Sequence, residues 1–271
     1  MKKLLVLTLV ALGTTQALHA QDEVELGYFD NLSVGLSVGS DGIGFDVAAP
    51  ISEYAAVRGG FSFLPTIKVD KNIKINKDAA TYYNNIDVQG KGQFFNGKLL
   101  FDYYPFKNSS FHLTAGAFFG TSEIVKIHNT SPILKDPTQY GKVGLLIGTG
   151  ANEYEVSTDQ NGNAIIKAKV NGFKPYIGLG FGRAVMKKQR FGVSFDMGVQ
   201  FWGKPGVYAK AVEHNNAFID RDDPTSWKEH HFKYSDLGDD DDKDLRDAIK
   251  TVEKITVCPV LNIRLTYRIF K

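Results

Sequence analysis

Near its end the chain alternates strictly between apolar and polar residues, in the stretch Leu261-Asn262-Ile263-Arg264-Leu265-Thr266-Tyr267-Arg268. Successive side chains of a β-strand point to opposite faces, so a period of two predicts a strand with one apolar and one polar face. A helix would instead repeat its apolar residues about every 3.6 positions. This stretch therefore indicates a β protein.

Seven other segments share this alternation. With the first they predict eight strands, over residues 32–38, 43–47, 57–63, 99–103, 111–119, 177–181, 193–201 and 261–269. The first two are joined by the turn Gly39-Ser40-Asp41-Gly42 and form a hairpin. The count rises to ten if residues 142–149 and 164–170 also join this set of strands. The 27 Gly, 19 Phe and 12 Tyr among 271 residues suit strands and turns.

The lengths of the connections favour a barrel. Residues 50–55, 106–110 and 185–190 form short turns, whereas 64–92, 120–172 and 203–256 are long connections at the opposite end. Short periplasmic turns and long extracellular loops are typical of outer-membrane barrels. We therefore predict an all-β, antiparallel up-and-down transmembrane β-barrel with long extracellular loops. A secreted two-sheet sandwich has the same alternation and is the alternative.

The first residues have the features of a secretory signal peptide. Lys2 and Lys3 precede an apolar run, and a small residue, Ala20, ends the segment. We predict a signal peptide over residues 1–20 and a barrel domain over 21–271. Removal of Lys2 and Lys3 with the signal peptide lowers the number of basic residues from 32 to 30, which equals the 30 acidic residues. A formally neutral chain argues against a nucleic-acid partner. The single Cys258 excludes an intramolecular disulfide.

Three segments carry a resemblance to a known group of proteins. They are Lys174-Pro175-Tyr176-Ile177-Gly178-Leu179-Gly180-Phe181-Gly182, Phe191-Gly192-Val193-Ser194-Phe195-Asp196-Met197-Gly198-Val199 and the stretch from Pro259 to Arg268. The chain resembles the small outer-membrane β-barrel proteins of Gram-negative bacteria with OmpA-like architecture. The resemblance implies a barrel in the cell outer membrane, in contact with outer-membrane lipid and lipopolysaccharide and inserted by the barrel assembly machinery. It implies no particular activity.

The polar faces of the predicted strands carry charged residues that would point into the lumen. The predicted network comprises Asp46, Arg58, Lys98, Asp102, Lys174, Asp196, Arg264 and Arg268. Five positive and three negative charges inside a narrow barrel are costly unless they are paired. We predict a side-chain-filled lumen in which Arg264 and Arg268 pair with carboxylates such as Asp102 or Asp196. The alternative is a narrow-solute porin that prefers anions, which ten strands would favour.

Two weaker chemical signals remain. Ser110, His112 and Thr114 share one strand face, and this spacing is similar to that of the histidine and the hydroxyl in outer-membrane lipid hydrolases. The favoured interpretation is a hydrogen-bonded histidine in the interior. His230, His231 and the run Asp239 to Asp242 offer metal-binding atoms, but their spacing fits neither a calcium loop nor a zinc site. We predict no enzyme, cofactor or metal site, and a structural or surface-interaction role.

Other residues give local expectations. Leu245, Ala248, Ile249 and Val252 fit a short amphipathic helix, and residues 153–157 and 164–170 fit a hairpin around Asn161-Gly162. Aromatic residues near strand ends predict interfacial girdles. These are Tyr54, Tyr103, Tyr104, Phe106, Phe201, Trp202 and Tyr267.

Overall fold

The computed structural model describes residues 26–74, 80–147, 153–214, 220, 223, 226–233 and 243–269. The predicted signal peptide and the run Asp239 to Asp242 lie outside these residues. Within them, no helix is both long enough and apolar enough to cross a membrane.

The described residues form fourteen strands and one α-helix. The strands are β1 (Ser33–Gly39), β2 (Gly42–Ser52), β3 (Ala55–Lys74), β4 (Asn85–Tyr103), β5 (Phe111–Gly120), β6 (Glu123–Asn129), β7 (Leu145–Ile147), β8 (Tyr154–Val156), β9 (Ile165–Lys169), β10 (Phe173–Phe181), β11 (Phe191–Phe201), β12 (Gly206–Glu213), β13 (Lys228–Phe232) and β14 (Val257–Arg268). The helix is α1 (Lys243–Lys254), and a short 3-10 turn spans Pro137–Gln139.

Eight of these strands close into an antiparallel barrel in the order β3, β2, β1, β14, β11, β10, β5, β4, with β4 pairing back onto β3. The first and last strands meet in a continuous register in which Leu36 faces Leu265. This confirms the predicted barrel and its eight strands. A closed sheet also excludes the sandwich. The ten-strand count is wrong, because β7 and β9 pair outside the barrel.

The barrel is polar inside and apolar outside. In β14, Leu261, Ile263 and Leu265 are 50%, 59% and 50% exposed, whereas Arg264 and Thr266, which alternate with them, are buried. Exposed aliphatic and aromatic side chains occur on all eight strands of the barrel. A water-soluble protein of this size does not expose a continuous apolar belt, so this surface requires an apolar environment.

The two ends of the barrel differ. At one end, here called the turn end, short segments join β2 to β3, β4 to β5 and β10 to β11, and β1 begins and β14 ends there. The predicted short turns lie at this end. Tyr104 lies there too, but it is only 2% exposed and packs on Ala184 and Val185, so its assignment to a girdle is wrong. Tyr54, Tyr103, Phe106 and Phe201 are exposed as expected.

At the other end, β3 and β4 continue as a paired ribbon beyond the barrel, from Ile67 opposite Gly92 to Lys74 opposite Asn85. A bulge between Leu64 and Ile67 marks the start of this ribbon. The sheet then continues from β4 through β6, β9 and β12 to β13. We call this ribbon, with β6 to β9, β12, β13 and α1, the extension. The connections expected to be long loops therefore contain strands.

The extension has its own hydrophobic core. Its buried residues are Tyr82, Ile86, Ile133, Leu134, Ile147, Val156, Ala164, Val207, Ala209, Ala211, Phe232 and Ile249. The predicted helix is present as α1 and contributes Ile249 and Val252 to this core. The predicted hairpin is present only at its tip, where Thr158 and Ala164 form an antiparallel bridge around Asn161-Gly162. Its strand pairing is wrong, because β8 and β9 each pair with β12. Strand β12 forms because Val207, Ala209 and Ala211 alternate toward the core.

Candidate functional site

The lumen holds a layer of paired charges centred on Arg58. The Nε atom of Arg58 lies 2.7 Å from Asp102 Oδ2, and its Nη2 atom lies 2.9 Å from Asp196 Oδ1. Thr114 Oγ1 donates a hydrogen bond of 2.7 Å to Asp102. All four side chains are buried. One guanidinium therefore joins a carboxylate of the neighbouring strand β4 to a carboxylate of β11 across the lumen, where unpaired charges would be costly.

A second ion pair lies between Arg264 and Asp46. Arg264 Nη2 is 2.6 Å from Asp46 Oδ1, and its Nε atom donates to the same carboxylate at 2.9 Å. Lys98 Nζ lies 3.6 Å from Asp46 Oδ2. A side chain at position 35 would collide with Arg264 Nε, so Gly35 leaves the space that this guanidinium occupies. Arg264 also donates to Thr266 Oγ1.

The predicted partners of Arg264 and Arg268 are wrong. Arg264 pairs with Asp46, while Asp102 and Asp196 pair with Arg58. Arg268 instead donates to the main-chain carbonyls of Met186 and Lys187, at 2.7 and 3.0 Å, because it lies beside the turn between β10 and β11.

The remaining predicted residue, Lys174, is 1% exposed and has neutral partners. Its ammonium donates to Asn96 Oδ1 at 2.9 Å and to the carbonyl of Thr121 at 3.0 Å. The structure thus brings six of the eight predicted residues into two ion-paired groups, and places Lys174 and Arg268 on hydrogen-bond acceptors without a formal charge.

Apolar side chains fill the lumen on both sides of the charges. Leu100, Phe118, Tyr176 and Val260 pack together toward the extension. Leu26, Ala48, Ala56, Tyr104, Ala184 and Val185 pack at the turn end. The cavity bounded by Arg58, Lys98 and Tyr176 measures about 10 Å³. A single buried water needs roughly 10–15 Å³, so this space does not provide an aqueous passage.

His112 belongs to the charged layer. Its Nε2 atom lies 2.9 Å from Asp196 Oδ1, and its Nδ1 atom faces the carbonyl oxygen of Ser110 at 3.3 Å. Neither ring nitrogen contacts a hydroxyl, and the side chain is 1% exposed. A hydrolase of this kind needs a histidine within hydrogen-bond distance of a hydroxyl nucleophile. His112 instead contacts a carboxylate and a main-chain carbonyl.

Sequence reasoning missed two groups that lie near the ends of the lumen. Asp41 lies in the predicted turn between β1 and β2, and it is only 3% exposed. At the turn end, Arg183 donates to the carbonyls of Glu53, Lys107 and Ser109, and its guanidinium lies 4.6 Å from the ring centre of Tyr104. The sequence did not predict that Asp41 and Arg183 are buried, because turns normally present polar side chains to water.

The turn end also carries an exposed ion pair. Lys107 Nζ lies 2.9 Å from Glu53 Oε2. Its hydrogen bond lowers the pKa of the Glu53 carboxyl below the ordinary value. Solvent screens such a pair, so we assign it to local order of the turn rather than to stability.

The two histidines that offered metal-binding atoms in the sequence, His230 and His231, stack on aromatic rings. His230 stacks on Tyr154 with ring centres 4.0 Å apart, and His231 stacks on Tyr208 at 4.6 Å. Among the residues that the structure describes, no three histidine, cysteine or acidic side chains gather into a group that could hold a metal ion. The acidic run that completed the hypothesis is not described.

No family model and no curated protein matches the chain. Its structure is similar to the crystal structure of CarO from Acinetobacter baumannii, with 15% sequence identity, a TM-score of 0.46 and coverage of 89% of this chain and 99% of CarO. It is also similar to CarO2 from the same organism, with 16% identity, a TM-score of 0.43 and coverage of 88% and 98%.

Proposed function

We propose that this chain is an integral outer-membrane β-barrel protein that holds the extension on the outer face of the membrane, in a structural or surface-interaction role. The observation that carries the proposal is the inverted burial of the barrel. Charged residues such as Arg264 are 1% exposed, whereas Ile263 beside it is 59% exposed. Only an apolar solvent around the barrel makes this arrangement stable.

The filled lumen supports a role other than transport. Two ion-paired groups cross the lumen between two apolar clusters, and the cavity beside them measures about 10 Å³. A porin keeps a polar, water-filled channel. No geometric feature of this lumen favours the narrow-solute porin over the filled barrel, and conductance distinguishes the two directly.

The extension supports a role at the surface. A barrel that only anchors itself needs short connections, but here the connections form a multi-stranded sheet with twelve buried core residues. Long connections at the end opposite the short turns lie outside the cell in known outer-membrane barrels. Insertion of such a barrel requires the assembly machinery, which is part of the proposal.

The orientation can be tested with two single-cysteine variants in a Cys258→Ser background. Lys254→Cys places a thiol on α1 and Gln189→Cys places one in a turn-end connection, and both positions are exposed. A membrane-impermeant maleimide added to intact cells should label the first variant. It should label the second only after the outer membrane is permeabilised.

Both variants must be extracted with the outer-membrane fraction and react equally once unfolded, which serves as the control. Labelling of Gln189→Cys alone on intact cells would reverse the orientation. Recovery of both variants in the soluble fraction would contradict the membrane proposal itself.

A further inference from the structure

The outer face of the extension carries a row of lysines on four neighbouring strands. In the strand register Lys68 on β3 lies opposite Lys91 on β4, Lys91 opposite Lys126 on β6, and Lys126 opposite Lys167 on β9. Residues that face each other across paired strands project from the same side of the sheet. With strands about 4.8 Å apart, the Cα atoms of the four lysines follow a line of roughly 14 Å.

Three of these lysines lack an acidic partner. Glu123 lies 2.9 Å from Lys167 Nζ, but among the described residues no carboxylate lies within salt-bridge distance of Lys68, Lys91 or Lys126. Like charges that face each other across strands destabilise a sheet. These three lysines therefore add repulsion to the sheet, and their charge is available to an anionic ligand.

His128 lies two residues from Lys126 on β6, on the same face of the sheet as the row. Burial lowers the pKa of its imidazole below the ordinary value, and the ammonium groups of Lys91, Lys126 and Lys68 lower the pKa further, with Asp70 opposing them. Asp70 accepts a hydrogen bond of 2.7 Å from Gln89 Nε2. Asp70 is therefore already hydrogen-bonded to a neutral amide, and Glu123 is engaged by Lys167.

The position of the row identifies the ligand. Lys91 lies four residues from Phe95 along β4 and on the same face, and Phe95 pairs with Phe63 in the exposed apolar surface of the barrel. Four residues of a strand tilted by about 40° rise roughly 10 Å. The interfacial layer of a bilayer extends about 5–8 Å beyond the hydrocarbon on each side. The ammonium groups thus stand above the apolar surface, at the outer edge of the lipid head-group layer.

We propose that the row of Lys68, Lys91, Lys126 and Lys167 binds the phosphate groups of a phosphorylated glycolipid in the outer leaflet. The ammonium groups match the phosphates in charge, and the apolar surface directly below them receives the acyl chains of the same molecule. A free phosphate would contact only the ammonium groups and would leave the apolar surface below them uncovered. The inference rests on the proposed membrane function and names a partner for it.

The test compares two triple variants that lose the same charge. Lys68→Gln, Lys91→Gln and Lys126→Gln remove the unpaired part of the row, and Lys71→Gln, Lys142→Gln and Lys254→Gln remove three exposed lysines elsewhere. Each protein is reconstituted in zwitterionic micelles and titrated with a diphosphorylated glycolipid, and bound lipid is counted by native mass spectrometry. Each lysine near an anionic lipid contributes about a fivefold factor in affinity, so the row variant should bind roughly a hundredfold more weakly than the parent.

The control variant should bind like the parent, and inorganic phosphate and pyrophosphate should fail to compete. The row variant should also unfold at the same temperature as the parent or higher in micelles without the glycolipid, because like-charge repulsion has been removed. Equal loss in both variants, or full competition by soluble phosphate, would overturn the inference. A protein that inserts into membranes but shows no lysine-dependent binding refutes this inference alone, whereas failure to insert refutes the proposed function.

Discussion

Replacing Arg58 with methionine should lower the free energy of unfolding by about 3–5 kcal/mol, because it leaves two buried carboxylates without their cation. Asp102 and Asp196 are at most 6% exposed in their side chains and both rely on the same guanidinium. Methionine fills part of the volume, so the loss reports the missing charge more than a cavity. Reversible urea unfolding in phospholipid vesicles, followed by tryptophan fluorescence, measures the change.

Two comparisons make the Arg58 experiment specific. Arg190→Met changes an exposed arginine at the turn end and should leave stability within about 0.5 kcal/mol of the parent. Adding Asp102→Asn and Asp196→Asn to Arg58→Met should recover part of the loss, because neutral amides tolerate burial better than unpaired carboxylates. If Arg58→Met were no more destabilising than Arg190→Met, the lumen would be hydrated rather than filled.

Replacing Ile263 with arginine should lower the free energy of unfolding in a lipid bilayer by about 2–4 kcal/mol, because a cation would then face the hydrocarbon. Ile263 is 59% exposed and lies in the middle of β14, between Val38 on β1 and Phe195 on β11. The same unfolding assay in vesicles gives the value.

Val69→Arg is the matched control for position 263. Val69 is a strand residue with 63% exposure, but it lies on β3 beyond the barrel, in the extension. An arginine there remains in water and should change stability by less than about 0.5 kcal/mol. Similar costs at both positions, or a cost at Ile263 below about a tenth of the expected range, would show that β14 does not face lipid.

The barrel could be predicted because each of its strands separates two environments. In β14, Leu261 to Tyr267 alternate so regularly that the period of two is visible without any alignment. The extension could not be predicted in the same way. Strand β9 is only partly buried on both faces, and of its five residues, Ile165-Ile166-Lys167-Ala168-Lys169, only the last four alternate, which is too short a run to predict a strand position. Its position depends on pairing with β6 and β12, which only the folded chain provides.

In the lumen, the sequence predicts which charged residues point inward but not which of them pair. Parity along the strands correctly places Asp46, Arg58, Lys98, Asp102, Asp196 and Arg264 inside, since each alternates with an apolar neighbour. Their partners depend on the stagger of the strands around the barrel. Arg58 and Asp196 are 138 residues apart in sequence and meet only across the closed lumen. Arg268 lies close enough to the turn between β10 and β11 to bind its carbonyls, which strand parity does not reveal.

Conductance across a planar lipid bilayer tests the filled barrel most directly. The account predicts no conductance steps for the parent protein after insertion, and small steps when Arg264 or Asp196 is replaced by alanine, because each change opens the paired layer that closes the lumen. Steady, anion-selective conductance of the unmutated protein would contradict the account and would establish the narrow-solute porin in its place.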